Sequence, residues 1–319
     1  MTRWRAAACT GSLACALIAN ATAQTTFKAR VELVRLDVSV MRDGRPVRGL
    51  AADDFVVTDN DVSQHLERTA LDMAPLNVVL ALDNSGSVMG EKLSHLIDAA
   101  TIVVNDLREV DQGALITFSE RVERRVALTG ERTGLAHALG QLNAVGATAL
   151  RDGVLAALSL GQDDGHRTVV IVFSDGRDTA SWLTERNLLD VVRRTKPIVH
   201  AIEIPERRAA TPPSFAPRPS PNVAPGPPPS PLGLSSDPSS FLKELTRSAG
   251  GRYWSASEPE QLGRLFRAAL DEMRTRYELT YYPAGVNQPG WHRIEVRLKR
   301  GSATIAARPG YFVATASDR

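Results

Sequence analysis

The sequence predicts an α/β fold in which a doubly wound, mostly parallel sheet is inserted between N- and C-terminal β segments. Between residues 76 and 276, continuous apolar runs alternate with segments of helical spacing, as in a parallel sheet covered by helices on both faces. Outside those limits, short alternating runs separated by Pro, Gly and Asp indicate strands only. Neither outer segment holds enough strands to be stable alone, so we expect the two to form one small β domain.

The first residues have the layout of a secretory signal peptide. A short basic start, Met1–Arg5, precedes the apolar stretch Ala6–Ala19 and the small-residue cleavage motif Ala21-Thr22-Ala23. We expect cleavage after residue 23, because the apolar stretch is shorter than the ~20 residues that span a bilayer. A membrane anchor and a lipoprotein attached at Cys15 are the alternatives.

Composition and charge exclude several classes of protein. Both cysteines, Cys9 and Cys15, lie in the expected signal peptide, so the mature chain has no disulfide and no cysteine metal ligand. Removal of Arg3 and Arg5 takes the formal net charge from +2 to 0, which provides no electrostatic surface for nucleic acid or anionic lipid. No later segment is long and apolar enough to cross a membrane. We therefore expect a soluble, exported protein without a nucleic-acid partner.

The outer segments, residues 24–75 and 277–319, are predicted to be β. The predicted N-terminal strands and turns are Phe27–Met41, the turn Asp43–Val47, Phe55–Val57 and the turn Asp59–Asp61. The predicted C-terminal strands are Tyr277–Tyr282, Trp291–Leu298 and Ser302–Ala307.

The central segment, residues 76–276, begins with the fully apolar strand Leu76–Leu82, which ends at Asp83. The other predicted strands are Gly113–Phe118, Val122–Leu128 (at an edge), Thr168–Phe173, Ile198–Ile204 and Arg252–Ser255. The predicted helices are Glu91–Leu107, Leu135–Leu142, Leu150–Leu160, Thr184–Thr195, Ser239–Ala249 and Pro259–Arg276. The proline-rich residues 205–238 are predicted to be a disordered surface loop, with a motif for proline-binding modules as the alternative.

Three loops at the predicted carboxyl edge of the sheet carry oxygen ligands. Asp83, Ser85 and Ser87 follow the first buried strand, Asp175 follows Thr168–Phe173, and Thr148 precedes a helix. Ligands of doubly wound folds bind at this edge. Hard oxygens without sulfur or imidazole suit Mg²⁺, Mn²⁺ or Ca²⁺. Each residue taken singly is more often a helix cap or turn residue, but their shared position at strand ends favours a metal site.

These residues resemble a known motif. Asp83-x-Ser85-x-Ser87, Thr148 in Gly-Ala-Thr-Ala-Leu and Asp175 in Ser-Asp-Gly-Arg-Asp are similar to the metal ion-dependent adhesion site of von Willebrand factor A domains. The resemblance covers about residues 76–276 and implies a Rossmann-like fold. It implies that the two serines bind the cation directly, that the threonine binds directly or through water, and that the aspartates bind mostly through water. It also implies that an acidic side chain of a protein partner completes the metal shell.

The flanking residues resemble exported bacterial von Willebrand factor A-related proteins of the acidobacterial type. The residues that carry this similarity are Asp43–Val47, Asp54-Phe55, Tyr281–Pro283, His292–Ile294 and Arg308–Tyr311. The chain departs from the family pattern in two places. Ser174 stands where Thr is often found before the aspartate, and the proline-rich segment precedes Ser239, where it could shield or extend the binding face.

The sequence therefore predicts an exported, divalent cation-dependent protein-binding or adhesion module, and not an enzyme. One alternative is a structural interaction module whose metal site is unoccupied. Another is a metal-dependent phosphatase-like hydrolase that uses Asp83 as the phosphoryl acceptor, but that chemistry needs a second carboxylate where Ser85 stands. The six histidines form no i,i+4 pair, which disfavours zinc.

Overall fold

A computed structural model of the protein describes residues 33–71, 74–161, 165–204, 238–286 and 288–313. The expected signal peptide (residues 1–23), the start of the predicted strand Phe27–Met41 and residues 205–237 of the predicted proline-rich loop lie outside the described residues. Within the described ranges, no helix combines the length and the apolar character needed to cross a membrane.

The elements follow the predicted order of β, α/β and β. The N-terminal strands are β1 (Val34–Arg42), β2 (Arg45–Pro46), β3 (Phe55–Asp59), β4 (Val62–Gln64) and β5 (Arg68–Leu71). The central elements are β6 (Leu76–Asp83), α1 (Glu91–Asp106), β7 (Gln112–Phe118), β8 (Val122–Thr129), α2 (Arg132–Gly140), α3 (Leu150–Leu158), β9 (Arg167–Ser174), α4 (Glu185–Arg194), β10 (Ile198–Glu203), α5 (Pro238–Ser248), β11 (Tyr253–Ser255) and α6 (Leu262–Met273). The C-terminal strands are β12 (Tyr277–Tyr281), β13 (Gly290–Leu298), β14 (Thr304–Ala306) and β15 (Gly310–Val313).

The central sheet confirms the predicted α/β class. Its strand order is β11-β10-β9-β6-β7-β8, and every neighbouring pair is parallel except β7 with the edge strand β8. Helices α1, α2 and α6 pack on one face of this sheet, and α3, α4 and α5 on the other. Because both faces are covered, all eight residues of β6 are buried, which explains their continuous apolar sequence.

The N- and C-terminal strands pair with each other. One antiparallel sheet has the order β14-β1-β12-β5, with β2 beside β1, and the other has the order β15-β13-β3-β4. β1 is aligned with β12 through Val34 opposite Tyr281, and β3 with β13 through Val57 opposite Val296. One apolar cluster is shared by strands from both ends of the chain, with Val38, Phe55 and Tyr277 among its buried members. The outer segments thus form one β domain, as predicted.

Some predicted elements differ from the observed ones. The predicted helix Pro259–Arg276 begins with a 3₁₀ turn at Pro259–Gln261 and its α-helical part ends at Met273. Strands β2, β4, β5 and β15, of two to four residues each, were not predicted, and β2 lies within the predicted turn Asp43–Val47.

Arginines join the β domain to the central sheet at its amino-terminal edge. Arg167, the first residue of β9, places its guanidinium 2.5 Å from the Asp37 carboxylate on β1. Arg308 donates to the carbonyl of Pro197, just before β10, at 2.6 Å. Since parallel strands all begin at this edge, the β domain contacts the end of the sheet opposite to the predicted metal site.

A buried ionic cluster lies beside this contact. The Glu272 carboxylate is 2.9 Å from the guanidinium of Arg276 and 3.0 Å from the imidazole of His200, and all three side chains are buried. Arg276 also donates to the Asp37 carbonyl on β1 at 3.2 Å. Burial alone would raise the pKa of Glu272, but Arg276 and His200 hold that pKa below its ordinary value.

We expect Glu272→Gln to lower the free energy of unfolding by about 3–5 kcal/mol, because it leaves the guanidinium of Arg276 buried without its carboxylate. The pKa of Glu272 is lowered in the folded state, so its contribution is present above its ordinary pKa and is lost as the pH falls below that value. Urea unfolding at neutral and acidic pH measures both effects.

Glu295→Gln is the matched control, because it removes the carboxylate of an exposed Glu–Arg pair with Arg297. We expect this change to stay within about 0.5 kcal/mol. Equal losses in the two variants would contradict a structural role for the buried cluster.

Candidate metal centre

The alignment of two parallel strands brings the acidic strand ends together. Leu82 on β6 is aligned with Phe173 on β9, so Asp83 and Ser174 lie side by side at the carboxyl edge. The Ser174 hydroxyl donates to Asp83 Oδ2 at 2.9 Å, and the Ser85 amide donates to Asp83 Oδ1 at 2.9 Å. The side chain of Asp83 is fully buried in the part of the protein described.

Asp175 is the second carboxylate at this edge, and one of its oxygens is not satisfied. The amide of Arg177 donates to Asp175 Oδ1 at 3.0 Å. The other oxygen, Oδ2, is buried and has no hydrogen-bond partner among the described residues. A buried carboxylate oxygen without a partner is costly and uncommon in native proteins. A bound cation would satisfy it.

The hydroxyls of Ser85 and Ser87 lie side by side and are hydrogen-bonded to each other. Their Oγ atoms are 3.0 Å apart, with Ser85 buried and Ser87 half-buried. The 3₁₀ turn Gly86–Val88 holds both residues in place. Two hydroxyl oxygens that meet in this way can both turn their lone pairs to one cation.

Backbone hydrogen bonds fasten the Thr148 loop to the other two loops. The Gly86 amide donates to the Gly146 carbonyl at 3.0 Å, and the Thr179 amide donates to the Thr148 carbonyl at 2.9 Å. Gly146 has φ +81°, a left-handed conformation that favours glycine. Thr148 is buried. The five predicted residues therefore lie on three loops that are hydrogen-bonded to each other at one edge of the sheet.

Burial raises the pKa of Asp83 to about 6. This net pKa already includes the lowering by hydrogen bonds from Ser85 and Ser174 and a smaller rise from the negative charge of Asp175. The ionised form of Asp83 is thus held in an environment that disfavours its charge, and a nearby cation would compensate for this.

The donor set fits a hard divalent cation. Within the described ranges, no group of three or more His, Cys, Asp or Glu side chains could hold a metal ion. Two carboxylates therefore need hydroxyl oxygens to complete a shell, and Ser85, Ser87 and Thr148 offer them. Oxygen ligands of this kind suit Mg²⁺, Mn²⁺ or Ca²⁺.

Several supporting residues were not identified from the sequence. Ser174 was noted only as a departure from Thr, yet its hydroxyl orients Asp83. Asp178 accepts from the Arg151 amide at 2.8 Å and thereby ties the loop after β9 to the start of α3. Asp152 accepts from the amides of Trp182 and Leu183. Asp178 lies four residues after the end of β9 and Asp152 lies on α3, and only the fold shows what each carboxylate binds.

Residues 78–177 match the family model of the von Willebrand factor type A domain. The chain is 27% identical over 176 residues to inter-alpha-trypsin inhibitor heavy chain H4 from Bos taurus, a match of 51% of this chain and 18% of that protein. It is 30% identical over 132 residues to the Homo sapiens heavy chain H4, which covers 37% of this chain and 14% of that protein. The chain thus spans less than a fifth of these relatives.

A solved structure of a von Willebrand factor type A protein from Catenulispora acidiphila is also similar. It is 12% identical and has a TM-score of 0.47, with 92% of this chain and 76% of that chain covered.

We expect Asp83→Asn to gain about 1 kcal/mol of stability relative to the metal-free wild type as the pH rises from about 5 to 7. The folded protein raises the pKa of Asp83 to about 6, so ionisation above that pH costs stability that the amide does not lose. The amide gives up one of the two hydrogen bonds that the carboxylate accepts from Ser85 and Ser174, and this loss does not depend on pH. Urea unfolding in EDTA at both pH values measures the gain, and a difference between variant and wild type that does not change with pH would contradict the raised pKa.

Proposed function

Because this chain carries a von Willebrand factor type A domain, we propose that it is a protein-binding module that holds a divalent cation at the carboxyl edge of its central sheet. The observation that carries the proposal is a pair of buried carboxylates whose negative charge no basic side chain balances in the described hydrogen bonds. Asp83 has a raised pKa, and Asp175 has a buried oxygen without a partner among the described residues. Both features are costly in a metal-free protein, and a cation compensates for both.

We assign the cation to Asp83, Ser85, Ser87, Thr148 and Asp175. Mg²⁺ is the ion we propose first, with Mn²⁺ and Ca²⁺ as alternatives that the same oxygens accept. The bound ion supplies positive charge that an external carboxylate can meet. Ser85 and Ser87 would bind it as neutral ligands, and Ser174 would keep Asp83 oriented through its hydroxyl. The two carboxylates of the site carry at most two negative charges, so their charge does not exceed that of a divalent ion.

The proposed partner is a protein that presents an acidic side chain to this edge of the sheet. The β domain is joined to the opposite, amino-terminal edge through Arg167 and Arg308, so it does not occupy the proposed binding face. No step of the proposed function requires a catalytic residue, and the position two residues after Asp83 carries a serine that cannot act as an acid or base there.

We propose that the protein is exported after removal of residues 1–23. In the mature chain, residues 24–75 and 277–319 would form the β domain and residues 76–276 the cation-binding domain. The β domain would support the cation-binding domain at the amino-terminal edge of the central sheet, where Arg167 and Arg308 make their contacts.

We expect the EDTA-treated protein to bind one Mg²⁺ or Mn²⁺ per chain in isothermal titration, and Asp83→Ala to abolish this binding. The reason is that Asp83 carries one of only two carboxylates at the site. Asp190→Ala is the matched control, because it removes an exposed aspartate that pairs with Arg193 on α4. Its affinity should equal that of the wild type.

The variants are distinguished from unfolded protein by circular dichroism and thermal unfolding. Unchanged metal affinity in folded Asp83→Ala would refute the site assignment. An absence of binding in the folded wild type would instead support a structural interaction module with an unoccupied site.

A further inference from the structure

Three large apolar side chains stand exposed on the loops of the candidate metal centre. Met89 follows the Ser85–Ser87 turn and is 64% exposed, and Val145 lies three residues before Thr148 and is 63% exposed. Trp182 lies on the loop after β9 and is 96% exposed. Each side chain thus comes from a different one of the three loops. We call Met89, Val145 and Trp182 the apolar rim.

Trp182 is unusual among the tryptophans of the described residues. Trp254 and Trp291 are both partly buried, and each contacts another aromatic ring. The indole of Trp182 is almost wholly in contact with solvent. Exposure of so large an apolar side chain is unfavourable, and tryptophan is enriched among the residues that dominate protein–protein binding.

The loop that carries Trp182 is held firmly in spite of this exposure. The Trp182 amide donates to Asp152 Oδ2 at 2.9 Å, and the Ser181 hydroxyl donates to Asp178 Oδ2 at 2.7 Å. Asp178 in turn accepts from the Arg151 amide at 2.8 Å and from the Arg151 guanidinium at 3.1 Å. The backbone around the indole is therefore fixed before any partner arrives, which reduces the entropy lost on binding.

Further hydrogen bonds connect the loop of Trp182 to Thr148, one of the candidate metal ligands. The amides of Thr179 and Ala180 both donate to the carbonyl of Thr148, and the Thr179 hydroxyl accepts from the Thr148 amide. Val145 is connected to the Asp83–Ser87 loop through its amide, which donates to the Asn84 carbonyl at 2.9 Å. The apolar rim and the oxygen ligands are thus parts of one hydrogen-bonded assembly of loops.

We infer that the apolar rim is the second half of the binding face, and that the partner is a protein segment with a large apolar residue beside its acidic residue. This inference rests on the proposed cation-dependent function. A partner carboxylate that reaches the oxygens between the loops brings its neighbouring side chains against the residues that stand on those loops. Lys92, which donates to the Ser87 carbonyl at 3.3 Å, adds a positive charge that also favours an acidic segment.

The test uses a displayed library of random peptides selected on the full chain in Mg²⁺ and eluted with EDTA. We expect the eluted peptides to share Asp or Glu next to a large apolar residue. A synthetic peptide of that sequence should bind the wild type at least tenfold more tightly than it binds Trp182→Ala. Mg²⁺ affinity and thermal unfolding of the variant should match the wild type, because the indole packs on nothing that either depends on.

Tyr282→Ala is the matched control, since Tyr282 is an exposed aromatic residue (53%) that follows β12 in the β domain. It should bind the peptide as the wild type does.

Two results would overturn the role of the apolar rim without affecting the metal site: eluted peptides with an acidic residue but no apolar neighbour, or equal peptide affinity in wild type and Trp182→Ala. Failure to recover any EDTA-dependent peptide from protein that binds Mg²⁺ would also overturn it. A Mg²⁺-dependent dimer that is lost in Trp182→Ala would assign the rim to a second copy of this chain instead. Loss of Mg²⁺ binding in the wild type would refute the proposed function itself.

Discussion

The central constraint in this structure is the parallel pairing of β6 with β9, because it places two acidic strand ends side by side in a buried position. Leu82 and Phe173 are aligned, and the chain continues from them into Asp83 and Asp175. Neither carboxylate meets a basic side chain in the described hydrogen bonds, and burial raises the pKa of Asp83 to about 6. A core of two apolar clusters, one on each face of the sheet, supplies the stability that tolerates this arrangement.

The two edges of the central sheet differ in how their charged side chains are compensated. At the amino-terminal edge, buried and partly buried arginines pair with carboxylates and carbonyls, so charges there are compensated and the β domain is joined firmly. At the carboxyl edge, Asp178 pairs with Arg151, but Asp83 and Asp175 have no such partner in the described hydrogen bonds, and the loops carry exposed apolar groups. The proposed division into a support and a binding face rests on this difference in charge compensation between the two edges.

The sequence predicted the central fold well, because a strand buried on both faces has an apolar run that solvent-facing segments do not have. Leu76–Asp83 and Arg167–Ser174 were found within a residue of their limits for this reason. Asp83, Ser85, Ser87 and Asp175 were predicted to share an edge because they follow such runs, whereas Thr148 was added from its place before a helix. The structure places the five residues on adjoining loops, and their binding of a cation stays a prediction. The hydrogen bond from Ser174 to Asp83 and the exposure of Trp182 were not predictable, since both depend on the register and loop contacts of distant segments.

The most direct test of the account is a crystal structure of the full chain soaked with Mn²⁺, with anomalous scattering used to locate the ion. We expect one strong anomalous peak at the carboxyl edge, within bonding distance of the Ser85 and Ser87 hydroxyl oxygens. A peak only at another place, or no peak at this edge while the loops keep their positions, would contradict it.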